Sequence, residues 1–422
     1  MILATVVLAA SIDRAVNDFM AATKTPGMAV AIVQGDQIVY AKGFGATTID
    51  DGAPIKADTL FQIGSLTKMF TAATLLALVS DGKVDLNAPA SRYVSGLNPA
   101  IGRLTAAQLL SHTSGLKDEP AEYGSHDERE FAEYPRVWPA TYAMLPPGTT
   151  FSYSNPGYTL AGLIAQQAGG KAYPDLVDDR VFKPLGMNRS TFRPTVAMTY
   201  SMAIGHRGAR GEPPAVVRPM AEDTRHWPAG YVYSSANDLA RFAIAFLQGR
   251  FDELAKPRAE VANDLEPAQY GYGFFLETYH GVPTVWHGGD MPGFTAMMRM
   301  MPAEKLALIV LANRQGLRPD PILDALLDVK PPPVVSQRAI AMRPEEMQSY
   351  VGHYSNRFPV DVFIRDGKLF IRRPDGEKAL EKIAEHRFTT DPERKFRPAE
   401  LEIYPTYLSM WVWAFAREPD GR

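Results

Sequence analysis

Strand-like text stands at both ends of residues 28–312 and is scarce between them. The segment from Met28 to Gly45, MAVAIVQGDQIVYAKGFG, is two β-branched runs about Gly35-Asp36, the pattern of an antiparallel hairpin. From Val282 the strand signal returns as VPTVW, then FTAMMRMM, then KLALIVLAN after the turn Pro302-Ala303-Glu304. In between, Met69, Phe70, Ala73, Leu76 and Ala77 recur at helical spacing over 65–80, and Gly82 stops that helix. Residues 85–250 alternate short helical patterns with Pro/Gly-rich loops. One loop, 117–147, is aromatic and acidic; another, 193–228, is rich in Gly, Pro and Arg. Strands at both ends with helices between them point to one antiparallel sheet built from the two ends of the unit, plus a helical region, an α+β arrangement.

A second unit follows. Pro331-Pro332-Pro333 reads as a semi-rigid linker. Beyond Arg343, VDVFIRDGKLFIRR is two alternating strands joined at Asp366-Gly367, and IYPTYLSMWVWAFAR is a further aromatic strand pair. Such text fits a small β-barrel or sandwich. A chain of 422 residues has room for two or three units at roughly 100–200 residues each. The division is 1–10, an export-signal remnant or a plain N-terminal segment; 11–328, the main unit; 329–342, the Pro-rich linker; and 343–422, the barrel.

Composition narrows the chemistry. The chain has no cysteine, which rules out disulfides, thiol nucleophiles and cysteine-ligated zinc. Its 44 basic and 47 acidic residues leave no basic footprint for nucleic acid. Ile2 to Ala10 is apolar apart from Thr5 but far short of the roughly 20 residues of a spanning helix, and no other segment approaches a transmembrane span. As the core of an export signal that run lacks a basic lead, so a periplasmic or secreted location and a cytoplasmic one both stay open.

Without thiols, a covalent nucleophile has to be Ser, Thr, Lys, Asp, Glu, His or Tyr. No glycine has serine two positions later, so the G-x-S-x-G elbow is absent, as are H-E-x-x-H and the P-loop. S-x-x-K occurs three times, at Ser65-Lys68, Ser80-Lys83 and Ser114-Lys117. The second pair straddles Gly82 at a helix end, and the third encloses Gly115 in a turn. Only Ser65-Lys68 opens a long apolar-periodic helix, where i and i+3 side chains are neighbours with Cβ atoms roughly 5–6 Å apart. The helix N-terminus favours negative charge at Ser65 and, with burial, pushes Lys68 toward a neutral base. An N-cap serine followed by a surface lysine gives the same letters.

Tyr153 and Asn155, two apart in a Pro/Gly-bounded segment, can face one side as an acid/base and an orienting amide, or be a loop tyrosine and a turn asparagine. His287-Gly288-Gly289-Asp290 ends the strand VPTVW. Its glycines let a ligand approach the backbone, and the Asp290 N–H can join that of Ser65 as an oxyanion hole; the alternative is a plain glycine turn. His112 reads as a structural histidine closing a turn. Tyr123, Phe131, Tyr134, Trp138 and Tyr142 either line an acyl pocket or pack their loop down. Arg207, Arg210 and Arg218 read as a solvated face, and Met297, Met298, Met300 and Met301 as core.

In that order and at those separations, Ser65-x-x-Lys68, Tyr153-x-Asn155 and His287-x-Gly289 resemble the class C β-lactamase-like serine hydrolases. That family includes penicillin-binding DD-peptidases, D-aminopeptidases and family VIII carboxylesterases. LLSHTSGL (109–116), PGTTFSYSNPGY (147–158), PLGMNRSTF (184–192), AGYVYSSANDLARF (229–242) and YGYGFF (270–275) are similar to the same family, so the resemblance covers about residues 12–315. It implies a β-lactamase-like antiparallel sheet flanked by helices, a helical subdomain and a small C-terminal all-β (lipocalin-like) barrel. It implies Ser65 as the acylated nucleophile and Lys68 as the group that takes its proton, alone or with Tyr153. Tyr153 would protonate the leaving group and then help activate water. Asn155 would hold Lys68 and the acyl side chain, and the Ser65 and Asp290 amides would hold the oxyanion. No metal or organic cofactor is implied.

One departure bears on substrate. Where the β-lactamases carry Lys-Thr-Gly, this chain has His287-Gly288-Gly289. A lysine there is a fixed charge for a substrate carboxylate, whereas histidine, with a reference pKa of about 6.5, is mostly neutral at pH 7. Histidine here looks more like the D-peptidase and D-aminopeptidase members; several esterases carry Trp. The expected substrate is a small ester, amide or β-lactam, with a carboxylesterase ahead because alcohols leave more easily than amines. A D-amino-acid-specific peptidase or DD-carboxypeptidase, or a weak β-lactamase, is the enzymatic rival. A penicillin-binding sensor that acylates without turnover is the rival from another class. The oligomeric state is not legible.

Overall fold

The structure, a computed structural model, describes residues 2–119, 122–209, 212–261, 268–329, 339–390, 401–410 and 412–418. The first large sheet contains β1 (Gly27–Gln34), β2 (Gln37–Gly45), β3 (Ala259–Val261), β4 (Ala268–Tyr270), β5 (Phe275–Tyr279), β6 (Val282–Met291), β7 (Phe294–Met301) and β8 (Leu306–Ala312). Its order is β2-β1-β8-β7-β6-β5-β4-β3, with every neighbouring pair antiparallel. The N-terminal hairpin therefore lies against the last strand of the unit, Val30 opposite Val310, as strands at both ends of the text require. Five helices of eight residues or more are described: α1 (Ile2–Thr23), α2 (Thr67–Ser80), α3 (Asn155–Gly169), α4 (Ala236–Leu247) and α5 (Asp320–Leu327).

Period-two alternation divides the sheet between two apolar clusters. Ala29, Ala31, Val33, Met298, Met300, Ile309 and Leu311 face the main core, which also holds α2, α3 and α4. Met28, Val30, Ile32, Met297, Met301, Leu308 and Val310 face Ile12, Val16 and Phe19 of α1 and Ile322 and Leu323 of α5. Both faces are covered, which is why β1 and β7 read as near-continuous apolar runs. The four methionines are core, as expected. The proposed boundary between residues 10 and 11 falls inside α1, one continuous helix.

Helix α2 is buried on nearly all sides and runs through the core rather than over it. The expected helical start at Ser65 is corrected by one short element: Gly64–Leu66 forms a 3-10 turn, and α-helical geometry begins at Thr67.

The second large sheet has nine strands: β9 (Gly352–Ser355), β10 (Pro359–Arg365), β11 (Lys368–Arg373), β12 (Gly376–Ala379), β13 (Glu381–Ala384), β14 (Arg387–Thr389), β15 (Leu401–Ile403), β16 (Tyr407–Met410) and β17 (Trp413–Arg417). Its order is β12-β11-β10-β9-β17-β16-β15-β14-β13. The two outermost strands, β12 and β13, are separated in sequence only by Leu380, so the sheet curls into a nearly closed barrel around its own core. Asp366 (φ 51°) and Gly367 (φ 71°) both adopt the left-handed region that a two-residue hairpin turn requires. The Pro331–Pro333 linker lies outside the described residues. No described helix is long and apolar enough to cross a membrane.

Candidate active site

Ser65 occupies the 3-10 turn ahead of α2 and is partly exposed, while Lys68, one turn on, has no exposed surface. The turn is held on both sides: Ile63 N–H donates to Val232 O (3.0 Å), and Val232 N–H donates to Thr67 Oγ1 (3.1 Å). Lys68 Nζ lies 3.2 Å from Ser65 Oγ, 2.7 Å from Asn155 Oδ1 and 2.7 Å from Ala229 O. Burial lowers its pKa to about 7, against the opposing pull of the Asp118 carboxylate. A neutral amine has two N–H bonds and one lone pair. Asn155 Oδ1 and Ala229 O can only accept, so they take both N–H bonds and leave the lone pair for the Ser65 hydroxyl.

Tyr153 and Asn155 enter at the start of α3. Ser154 caps that helix, its Oγ accepting from Gly157 N–H at 3.1 Å, and Asn155 is the first helical residue. The segment read as a loop is thus a capped helix start, which fixes the Asn155 side chain. Below it, His112 (φ 56°) is fully buried, accepts the Ser154 N–H on Nδ1 at 3.0 Å, and stacks on the Tyr153 ring at 4.1 Å between centroids. Burial holds the Tyr153 hydroxyl well above the usual phenol range, although a hydrogen bond with Ser65 works the other way. Tyr153 is therefore a phenol, not a phenolate, at neutral pH.

The His-Gly-Gly stretch corrects a second expectation. Strand β6 does not end at Trp286; it runs on to Met291, with Gly288 opposite Met297, Gly289 opposite Ala296 and Asp290 opposite Thr295. The glycines serve close packing instead. A Cβ on Gly289 would fall 1.9 Å from Ile63 O, and one on Gly64 (φ 54°) would fall 2.8 Å from Asp290 N. This contact brings the backbone at Ser65 and at Asp290 to one rim. The Asp290 carboxylate is engaged elsewhere, accepting from Thr295 Oγ1 (3.1 Å) and Gly316 N–H (3.2 Å). His287 is buried; its Nδ1–H donates to Gly288 O at 2.6 Å, so Nε2 accepts from the Tyr270 hydroxyl at 3.1 Å. Burial, then the charge of Lys68, pushes its pKa down to about 3. The imidazole is neutral with both nitrogens spent.

Ser65, Tyr153, Asn155, His287, Gly289 and Asp290 line one cleft of about 800 Å³, with Lys68 beneath Ser65. The barrel supplies part of the same wall through Arg357, Phe358, Val412 and Trp413. The other two S-x-x-K pairs stay apart from it. Ser80 Oγ bonds Leu76 O at 3.2 Å on an exposed helix end, and Lys117 Nζ lies 4.3 Å over the Tyr142 ring. None of the five loop aromatics lines the cleft. Phe131 and Trp138 enter the main core, and the Tyr134 and Tyr142 hydroxyls donate to Glu119, so they pack the loop. Arg207 and Arg218 are exposed as expected; Arg210 lies outside the described residues. Among the described residues no group of three His, Asp or Glu could hold a metal ion.

Sequence reasoning missed Ala229 O, His112 as a support for Tyr153, and the barrel's share of the cleft. A backbone acceptor carries no sequence signal, and Trp413 and Arg357 lie too far along the chain for any local pattern to connect them to Asn155.

Residues 12–330 match the protein family described as "Beta-lactamase". The chain is 28% identical over 308 residues to Protein flp of Staphylococcus aureus (strain MW2), an alignment covering 68% of this chain and 59% of that protein, so it spans less than two thirds of that relative's length. It is 29% identical over 311 residues to Penicillin-binding protein 4 of Amycolatopsis lactamdurans, covering 68% of this chain and 81% of that one. Among solved structures, that of SurE superposes with a TM-score of 0.78 at 24% identity, covering 98% of this chain and 99% of the other; the likeness in fold thus includes the barrel.

Proposed function

This chain belongs to the Beta-lactamase family of serine hydrolases, and on that premise we propose that it is a carboxylesterase that hydrolyses small esters through an acyl-enzyme on Ser65. Ser65 Oγ attacks the ester carbonyl while its proton passes to the Lys68 lone pair, 3.2 Å away. The backbone N–H groups of Ser65 and Asp290 receive the oxyanion. The alcohol departs with the proton of Tyr153, whose transient phenolate is offset by the newly charged Lys68. In the second half, water gives a proton to that phenolate and its oxygen attacks the acyl carbon. Ser65 then leaves with the proton held on Lys68, which restores all three groups.

The observation that carries the ester reading is the neutral, fully engaged His287 where β-lactamases hold a lysine. It offers no charge to a substrate carboxylate, so an uncharged ester loses nothing at that position. A D-amino-acid-specific peptidase or weak β-lactamase is the second reading, favoured by Arg318, an exposed guanidinium on the cleft wall able to meet a carboxylate. Turnover of a short-chain aryl ester, a D-alanyl amide and a chromogenic cephalosporin separates the two, with Ser65→Ala as control. The ester should be fastest by at least tenfold, its acyl group should appear on Ser65 by intact mass, and S65A should abolish both. A faster amide or cephalosporin overturns the ester reading, and a burst without turnover would mark a sensor.

A further inference from the structure

The segment that presents Tyr153 and Asn155 to Ser65 and Lys68 is tied to the C-terminal barrel at Ser152 and Tyr153 directly and at Asn155 through Asp118. Ser152 Oγ accepts the Ala414 N–H at 3.2 Å and the Asn356 amide at 3.3 Å. The Tyr153 N–H donates to Val412 O at 2.8 Å. The third bond runs through Asp118. Its carboxylate is fully buried; Oδ1 accepts the Asn155 N–H at 2.8 Å, and Oδ2 accepts from Arg357 Nη1 at 3.0 Å and Trp413 Nε1 at 2.9 Å. Its own N–H donates to Asn356 Oδ1 at 2.8 Å. A buried carboxylate is costly unless paired and hydrogen-bonded, so without the barrel Asp118 would keep one partner and lose its cation.

From this geometry we propose that Asp118 is a positioning residue that makes the barrel part of the catalytic centre: clamped by Arg357 and Trp413, it fixes the first residue of α3 and so holds Asn155 Oδ1 on Lys68. The inference rests on the reading of Ser65 and Lys68 as nucleophile and base.

Asp118 also acts on Lys68 through its charge, drawing the amine toward protonation against the effect of burial. The other groups facing Lys68 are the rings of Tyr153 and Tyr158, with His112 and His287 behind them. The two tyrosines are held above their ordinary range and the two histidines below theirs, so all four are uncharged at neutral pH. Arg357 faces Asp118 and adds a positive charge from the barrel to this network. A variant that alters either charge moves the pH at which Lys68 becomes a base, which a purely structural latch does not.

The test is the pH profile of kcat/KM for the aryl ester with the full chain and the variants Asp118→Asn, Arg357→Gln and Trp413→Phe. An amide has one acceptor oxygen and can serve Asn155 or the barrel but not both. D118N should lower kcat at least tenfold and move the acid limb down by about one pH unit, since the charge that favours protonated Lys68 is gone. R357Q should move the limb upward, because Asp118 is then less neutralised. W413F keeps both charges and should lower kcat with the limb in place. An unmoved limb in D118N and R357Q, or parental kcat in D118N, overturns the inference. Should D118N fail to fold, an unmoved limb in R357Q or parental kcat in W413F overturns it equally. The parent reports separately on the underlying reading: if it gives no Ser65 adduct, that reading fails, whereas a normal adduct with an unaltered D118N removes the inference alone.

Discussion

Lys68 can accept a proton only when it carries none, and complete burial of its amine favours that uncharged state. With pKa lowered to about 7, the fraction of neutral amine grows as pH rises through neutrality. The expected kcat/KM for ester hydrolysis therefore climbs from pH 5 to 8 with an inflection near 7, read from a pH–rate profile. Lys68→Arg, whose guanidinium does not deprotonate, should lose at least ~10³-fold and show no inflection. His287, with pKa near 3, contributes nothing in that range; an inflection near 6.5 that disappears in His287→Gln would contradict the assignment. At this scale the sequence was informative where chemistry and helical spacing coincide: Ser65 and Lys68 sit three apart and meet. It was silent where a side chain is served by backbone, as Lys68 is by Ala229 O. His112 was legible as structural but not as the plate under Tyr153, because stacking depends on two segments meeting in space.

Elements were legible from periodicity, and their boundaries were lost where tertiary pairing prevailed over local signals. Gly288-Gly289 reads as a strand terminator, yet β7 supplies a full ladder opposite and carries β6 through it. The glycine pair is also where element packing becomes chemistry, and its two members differ. Gly289→Ala places a Cβ 1.9 Å from the Ile63 carbonyl oxygen, backbone that cannot give without moving the Ser65 turn. The nearest atom to a Cβ at Gly288 is a Trp286 ring carbon at 3.5 Å, an ordinary contact. In urea unfolding, G289A should cost about 2–4 kcal/mol and G288A under about 1 kcal/mol. Activity should follow: G289A losing at least ~100-fold in kcat through the displaced oxyanion donors, G288A nearly unaffected. Equal effects from the two would show that the approach of β6 to the turn does not matter.

At the scale of the molecule, the existence of the barrel was legible from alternating strands and the Asp366-Gly367 turn, while its docking was not. Strand patterns encode which face is buried, not what lies against the outer face. Here Val412, just before β17, and Trp413, its first residue, pack with Phe151, Tyr153 and Tyr270 in an apolar cluster, and Trp413 also packs against the barrel core. Weakening the barrel should then weaken catalysis at a distance. Leu408 is fully buried in the barrel core and belongs to none of the contacts with the Tyr153 segment. Leu408→Ala should cost about 2–5 kcal/mol of barrel stability. Hydrolysis measured across a urea series should then fail at the concentration where hydrogen exchange reports opening of β9–β17, ahead of the main sheet. Because this substitution touches neither Asp118 nor the cleft, loss of activity in step with barrel opening can only pass through the docked interface. Activity that persists until the main sheet itself unfolds would leave the barrel a neighbour of the active site rather than one of its walls.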